Sequence, residues 1–393
     1  MPMSRNIAVM LSSSQHFRNT GMFSVEWAAY RFFKENFPGN RITFYVPHLS
    51  PESEYPDEYQ IRVPYAIYRQ IDDKSVDDIW AADLIVYWSD FFHTRHFIEQ
   101  YLANYTNVDM EIFYSAYFLE GAPHSVLRKA IAFGNSLMFF SDFGKPHDRY
   151  SRAFYRLYKT MPIAMPRDMI SYQNLVKFRS NHDCLGCCSQ GVDPAMLLPN
   201  QKNNPGIAKN NLGLFIGRRT EIDPKHVKNI KRFAKKTGRQ IHWIDWMRNT
   251  ESLLLRAIKN PRQAPNLIRH MLLAARYRQI GHESNPLFNL NRYDMIVTDT
   301  YHLAVNAIRC KIPVFCIGTG EIIYGKDSLD LHDQKKEAMM KMFGLGSKYG
   351  VPTVSSLSFA EQDGPVGDAC LDMVAKISRL LKYECERILN ASI

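Results

Sequence analysis

The chain has 393 residues, 46% apolar and 22% charged, with a net charge of +10. That length exceeds what one hydrophobic core usually serves, so two domains are expected, and the composition excludes a disordered or fibrous protein. No apolar run reaches the ~18–20 residues needed to cross a bilayer, and the first residues lack a signal-peptide core.

Seven cysteines without an export signal suit reduced thiols, so a cytoplasmic protein is expected. The charge is uneven: residues 210–280 hold sixteen Lys/Arg and four Asp/Glu. Such a region attracts an anionic small substrate, an anionic membrane or nucleic acid, and charge alone does not choose among them. A solvated helix face is the plain alternative. The sequence carries no recognition-helix or RNA-binding signature, and Trp243 and Trp246 lie among apolar residues. Nucleic acid is therefore not an expected partner.

Residues 5–11 (RNIAVML) read as a first buried strand, followed by a polar loop at 12–21 and a helical pattern over 23–33. Further apolar runs at 41–46, 83–88, 111–114 and 136–140 read as strands. An Asn-rich stretch at 200–206 reads as a linker. The alternation then restarts, with strands at 211–217, 239–243, 293–298 and 312–317. Helices are expected at 223–237, 251–277 and 303–309, and a last amphipathic one at 367–389. Strands alternating with helix-length segments imply βαβ units and parallel sheets. The expected architecture is α/β, with two Rossmann-like domains facing a cleft. Residues 1–200 form the first, 207–366 the second, and 367–393 a helix packing back toward the first.

Ligands of such sheets sit beyond the carboxyl ends of the strands, which directs attention to four loops. In Val297-Thr298-Asp299-Thr300-Tyr301-His302, a strand ends and a helix begins. Asp299 and Thr300 are suited to N-capping, and His302 to donating to a phosphate, to general acid work, or merely to satisfying nearby backbone. Arg218 and Arg219 directly follow a strand. They can fork onto a carboxylate or phosphate, or pair with Glu221 and Asp223. The loop holding Ser13, Ser14, His16 and Asn19 suits a polar ligand such as a sugar, though it lacks both the Walker and the dinucleotide glycine spacings. His93 lies in a His-rich loop after the strand at 83–88 and is a candidate for acceptor binding. Cys184, Cys187 and Cys188 lack a second cysteine pair, so buried thiols are expected there and not a metal site.

Three segments in order resemble the polysaccharide pyruvyl transferase family. They are Arg167-Asp168-Met169-Ile170-Ser171 (R-D-x-x-S), Asp193-Pro194-Ala195 (D-P-A) and Thr298-Asp299-Thr300-Tyr301-His302 (T-D-[ST]-[FY]-H). The resemblance implies a fold like the B-type glycosyltransferases. It also implies transfer of a pyruvyl unit from phosphoenolpyruvate to two hydroxyls of a sugar, in a polysaccharide or lipid-linked precursor, with closure of a cyclic ketal. No metal or redox cofactor is implied. His302 and Asp299 become the expected catalytic residues. Arg218, Arg219, Thr300 and Tyr301 become donor contacts, and Ser13, Ser14, His16, Asn19 and His93 acceptor contacts. Many relatives carry Arg-Leu where Thr300-Tyr301 stand, which moves the donor's arginine to Arg218 or Arg219. A lipid-linked acceptor would place the protein at the inner face of the membrane, its basic stretch toward anionic lipid. The alternative on the same architecture is a glycosyltransferase using a nucleotide sugar.

Overall fold

The computed structural model describes residues 4–11, 20–47, 66–90, 92–95, 98, 109–137, 148–199, 210–216, 222–246, 264–277, 286–318 and 328–391. The predicted linker at 200–206 lies outside them. The chain divides into two compact units. One comprises Met1–His16, Val25–Leu197 and Met373–Ile393, the other Phe17–Ser24 and Leu198–Asp372.

The first unit is built on a seven-stranded sheet of order β3-β2-β1-β4-β5-β6-β7. Its strands are β1 (Asn6–Met10), β2 (Arg41–Val46), β3 (Ile67–Gln70), β4 (Leu84–Asp90), β5 (Ala130–Asn135), β6 (Ile163–Met165) and β7 (Cys187–Cys188). Every pairing is parallel. Strands covered on both faces must be apolar throughout, and β1, β4 and β5 are almost wholly buried. The connecting helices are α1 (Thr20–Asn36), α2 (Asp73–Ala81), α3 (Met110–Tyr117), α4 (His124–Leu127), α5 (Arg149–Thr160) and α6 (Met169–Asn181).

Residues 111–114, expected as a strand, are helical. Asp109 accepts from the amide of Glu111 at 2.7 Å, and Phe113, Tyr114, Ala116 and Tyr117 are buried on one face. Of the strand expected at 136–140, residues 136 and 137 follow the end of β5 at Asn135 and 138–140 lie outside the described residues. Ala130-Ile131-Ala132-Phe133-Gly134 supplies the buried run through small residues.

The second unit carries a five-stranded sheet of order β12-β11-β10-β8-β9, again parallel at each pairing. Its strands are β8 (Asn211–Phe215), β9 (Gln240–Trp243), β10 (Met295–Thr298), β11 (Val314–Ile317) and β12 (Tyr349–Gly350). Its helices are α7 (Pro224–Thr237), α8 (Ala264–Arg276), α9 (Tyr301–Arg309), α10 (Ser328–Met342) and α11 (Val354–Gln362). The last helix, α12 (Asp368–Ala391), leads from the second unit into the first. Helix α7 starts with Asp223 accepting from the amide of Lys225 at 2.7 Å and Pro224 in its first turn. It stops at Gly238 with φ of 69°, a left-handed cap that glycine adopts without a Cβ clash. The strand order reverses between β1 and β4 in the first sheet and between β8 and β10 in the second. These switch points open crevices at the carboxyl ends of those strands.

Candidate functional site

The carboxyl edge of the second sheet gathers the ionisable groups. Strand β10 is fully buried and ends at Thr298, whose hydroxyl accepts from the amide of Thr300 at 3.0 Å. The Asp299 amide donates to the Phe215 carbonyl at 3.4 Å, tying this turn to the end of β8. Thr300 is the N-cap of α9, but its side chain makes no capping bond; its hydroxyl donates to the Asp299 carboxylate at 3.3 Å. The side-chain cap expected from Thr300 is thus absent, its hydroxyl facing the Asp299 carboxylate in its place.

All nine residues of α9 are buried. His302 is 8% exposed, and its ring meets that of Tyr301 edge-on at 5.2 Å. Asn306 donates to the His302 carbonyl at 2.9 Å and to the Ser24 hydroxyl at 3.0 Å, seating the first turn of α1 on α9.

Two buried lysines that the sequence reading missed belong to this edge. Lys335 holds its ammonium 4.3 Å over the Tyr301 ring. Lys336 donates to the Asp299 carbonyl at 3.2 Å and the Ile317 carbonyl at 3.0 Å, joining the ends of β10 and β11. His270 on α8 bonds through Nδ1 to the Ile216 carbonyl at 2.9 Å, just past β8. Burial pushes its pKa down, opposed by that carbonyl and by the charge of Asp299. The edge thus gathers two imidazoles, two ammonium groups, one carboxylate and a helix N-terminus. Such a set suits a small dianion better than a neutral ligand.

A family model for polysaccharide pyruvyl transferase matches residues 25–321. The chain belongs to that family. It is accordingly a transferase of polysaccharide biosynthesis, and residues 298–302, which resemble a T-D-[ST]-[FY]-H segment, lie inside the matched span. No curated protein matches the chain. Among solved structures, the UDP-GlcNAc 2-epimerase from Neisseria meningitidis bound to UDP-GlcNAc is similar over 97% of this chain and 100% of its own, with a TM-score of 0.52 at 9% identity. The UDP-GlcNAc 2-epimerase from Methanocaldococcus jannaschii is similar over 91% of this chain and 92% of its own, with a TM-score of 0.48 at 12% identity. The first likeness shows the fold: two Rossmann-like units of the B-type glycosyltransferase class. It says nothing of what this chain binds.

The other two family segments are interior parts of the first unit. Arg167 is fully buried and pairs at 3.2 Å with Asp193, which is 1% exposed. Asp168 caps α6, accepting from the Ser171 amide at 2.8 Å, the Ser171 hydroxyl at 2.7 Å and the Ser136 hydroxyl at 3.2 Å. Pro194 packs on Gly134, where a Cβ would fall 2.4 Å from its ring. The two motifs therefore clamp the turn after β6 to the end of β5.

His93, expected to bind acceptor, is instead a core residue. Its Nδ1 meets the Tyr158 hydroxyl and its Nε2 the Tyr117 carbonyl, both at 2.8 Å, so no ring atom is left for a sugar. Burial lowers its pKa from 6.5 to about 4. The unfolded imidazole takes a proton from about pH 6.5 downward, whereas the folded one stays neutral to about pH 4. This group's contribution is therefore full above pH 6.5 and is lost as the pH falls toward 4, by on the order of 3 kcal/mol. His93→Gln should flatten that decline, read from urea midpoints at neutral pH and near about pH 4.5; identical slopes would assign it to other groups.

Ser13, Ser14, His16, Asn19, Arg218 and Arg219 lie outside the described residues. Cys184 and Cys188 are half-buried and Cys187 is exposed, and all seven cysteines are free thiols. Burial pushes the Cys184 and Cys188 thiols up, away from reactivity. A cavity of about 120 Å³ lies along the first sheet beside α2, lined by residues from Asn6 and Arg41 at the starts of their strands to Tyr45 and Arg69 near the ends of theirs.

Proposed function

We propose that the protein transfers the pyruvyl unit of phosphoenolpyruvate to two hydroxyls of a sugar, in a polysaccharide or lipid-linked oligosaccharide precursor, closing a cyclic ketal. The observation that carries this reading is the set of groups at the β8/β10 switch point: the ammonium groups of Lys335 and Lys336, with the imidazoles of His302 and His270, beside the N-terminus of α9. Phosphoenolpyruvate bears a carboxylate and a phosphate, and both need cations.

His302 acts as the general acid, protonating the methylene carbon and making the enol carbon electrophilic. A first sugar hydroxyl adds to that carbon and returns its proton to His302. The carbon–oxygen bond to phosphate then breaks, with Lys335 and the α9 amides taking up the charge on the departing group. The second hydroxyl adds, and its proton leaves with the phosphate. Lys336 is a positioning residue, since its bonds to two strand-end carbonyls fix the turn that holds Asp299. Asp299 in turn holds the Thr300 hydroxyl. Arg218 and Arg219 lie three and four residues after the end of β8 in sequence and are proposed donor contacts. Replacing either with Lys should raise the KM for phosphoenolpyruvate, because a point charge does not copy a bidentate fork. Each proton in this sequence is moved by side chains and substrate hydroxyls, so the proposed chemistry calls for no redox cofactor.

The proposed place of action is the inner face of the cytoplasmic membrane, where a lipid-linked acceptor would be met. The test is incubation with phosphoenolpyruvate and lipid-linked sugars, following phosphate release and product mass. Phosphate release matched by the mass gain of a ketal supports the reading. Phosphate release without that gain, or sugar transfer from a nucleotide sugar in its place, overturns it.

A further inference from the structure

Helix α8 is apolar on the side where a surface helix is ordinarily polar. Ile268, Met271 and Leu272 are 50%, 38% and 64% exposed, and Ala275 is exposed beside them. Their spacing of i, i+3, i+4 and i+7 makes one outward stripe. The opposite face is fixed: His270 bonds to the Ile216 carbonyl and meets the Trp243 ring at 4.8 Å, while Leu273 is 8% exposed. Arg269 donates to the Ile222 carbonyl at 3.3 Å. Single exposed apolar residues are ordinary on protein surfaces. Of the eleven large ones among the described residues, however, three fall within these five positions.

The charge flanking the stripe in sequence has one sign. Residues 252–282 contain six Lys/Arg and no Asp or Glu, and Arg276 is exposed on α8 itself. A second copy meeting this face across a two-fold axis would set the same basic segment against itself. The stripe covers about two turns, roughly 10 Å of helix, which is short for a stable protein interface of ~800 Å² per partner. A few apolar side chains on a basic helix are, in contrast, what an anionic bilayer takes up.

We propose that α8 docks the protein on an anionic lipid surface, inserting Ile268, Met271 and Leu272 between headgroups while neighbouring arginines meet lipid phosphates. The proposal extends the membrane contact suggested under the function above, and it does not depend on the chemistry proposed there. It also gives that contact a place. His270, on the inward face of the same helix, lies within the electrostatic reach of Asp299. The docking helix therefore borders the edge that carries His302.

Sedimentation of the whole protein with phosphatidylcholine vesicles, with and without phosphatidylglycerol, tests this. Binding should require phosphatidylglycerol, and part of it should survive high salt because insertion is apolar. Ile268→Ser with Leu272→Ser should lower partitioning by at least roughly tenfold, while thermal stability holds because both side chains face solvent. Leu272→Trp should show blue-shifted emission on anionic vesicles only. The proposal is overturned by unchanged partitioning of the double variant or by water-like emission of the Trp variant on vesicles. It is equally overturned by a concentration-dependent dimer that the double variant abolishes without any lipid effect. Turnover of a soluble acceptor should be the same in the double variant and the wild type, so failure of docking and failure of pyruvyl transfer are read separately.

Discussion

Replacing Arg167 with Ala should destabilise the protein by on the order of 3–5 kcal/mol, a large share of the stability of an ordinary domain. Arg167 and Asp193 are 0% and 1% exposed, so removing the guanidinium leaves a carboxylate buried without its counter-charge. The same carboxylate accepts from the Ala195 amide at 3.1 Å, in the segment that packs Pro194 on Gly134. The damage should therefore spread to the end of β5. Urea denaturation followed by circular dichroism measures the loss. Arg167→Met with Asp193→Leu, which removes both charges and keeps apolar volume, should recover much of it. A single variant within about 1 kcal/mol of wild type would mean that this pair does not hold the two segments together.

Replacing His302 with Gln should lower kcat by about 10²–10⁴-fold, the usual contribution of a positioned acid. Gln is the informative choice because His302 is 8% exposed in a wholly buried helix, and Ala would add a packing defect to the chemical one. Thermal unfolding should stay close to wild type. Lys335→Gln should act on both constants, raising the KM for the donor and lowering kcat, since its ammonium is assigned both to the bound phosphate and to the charge on the departing one. Near-normal turnover in His302→Gln would remove the histidine from the mechanism and leave the family membership untouched.

Both sheets were legible because their inner strands are buried on two faces and so read as continuous apolar runs, as in Ile7-Ala8-Val9-Met10 and Met295-Ile296-Val297. The run at 111–114 was not, because three successive apolar residues (Ile112, Phe113, Tyr114) fit either period, and the deciding signal was the Asp109 cap just before it. The place of His302 just after the turn from β10 into α9 was legible from the run of apolar residues that ends at Thr298. The lysines were not: Lys335 and Lys336 are adjacent cations on a helix, and nothing local separates them from a solvated pair. Their burial depends on Tyr301, Asp299 and Ile317, which come from other elements. His93 misled for the same reason, since its partners Tyr117 and Tyr158 are 24 and 65 residues away.

Helix α1 contributes Thr20–Ser24 to one compact unit and the rest of its length to the other, and α12 is divided likewise after Asp372. A fragment of residues 198–372 would lack the Ser24 hydroxyl that Asn306 grips and the Thr20 amide that donates to the Trp246 carbonyl at 3.3 Å. The complementary pieces would carry those groups with nothing to receive them. The units are separate in their cores but not separable as segments of a gene. An exchange of halves between relatives would have to carry the first turn of α1 along with the second sheet.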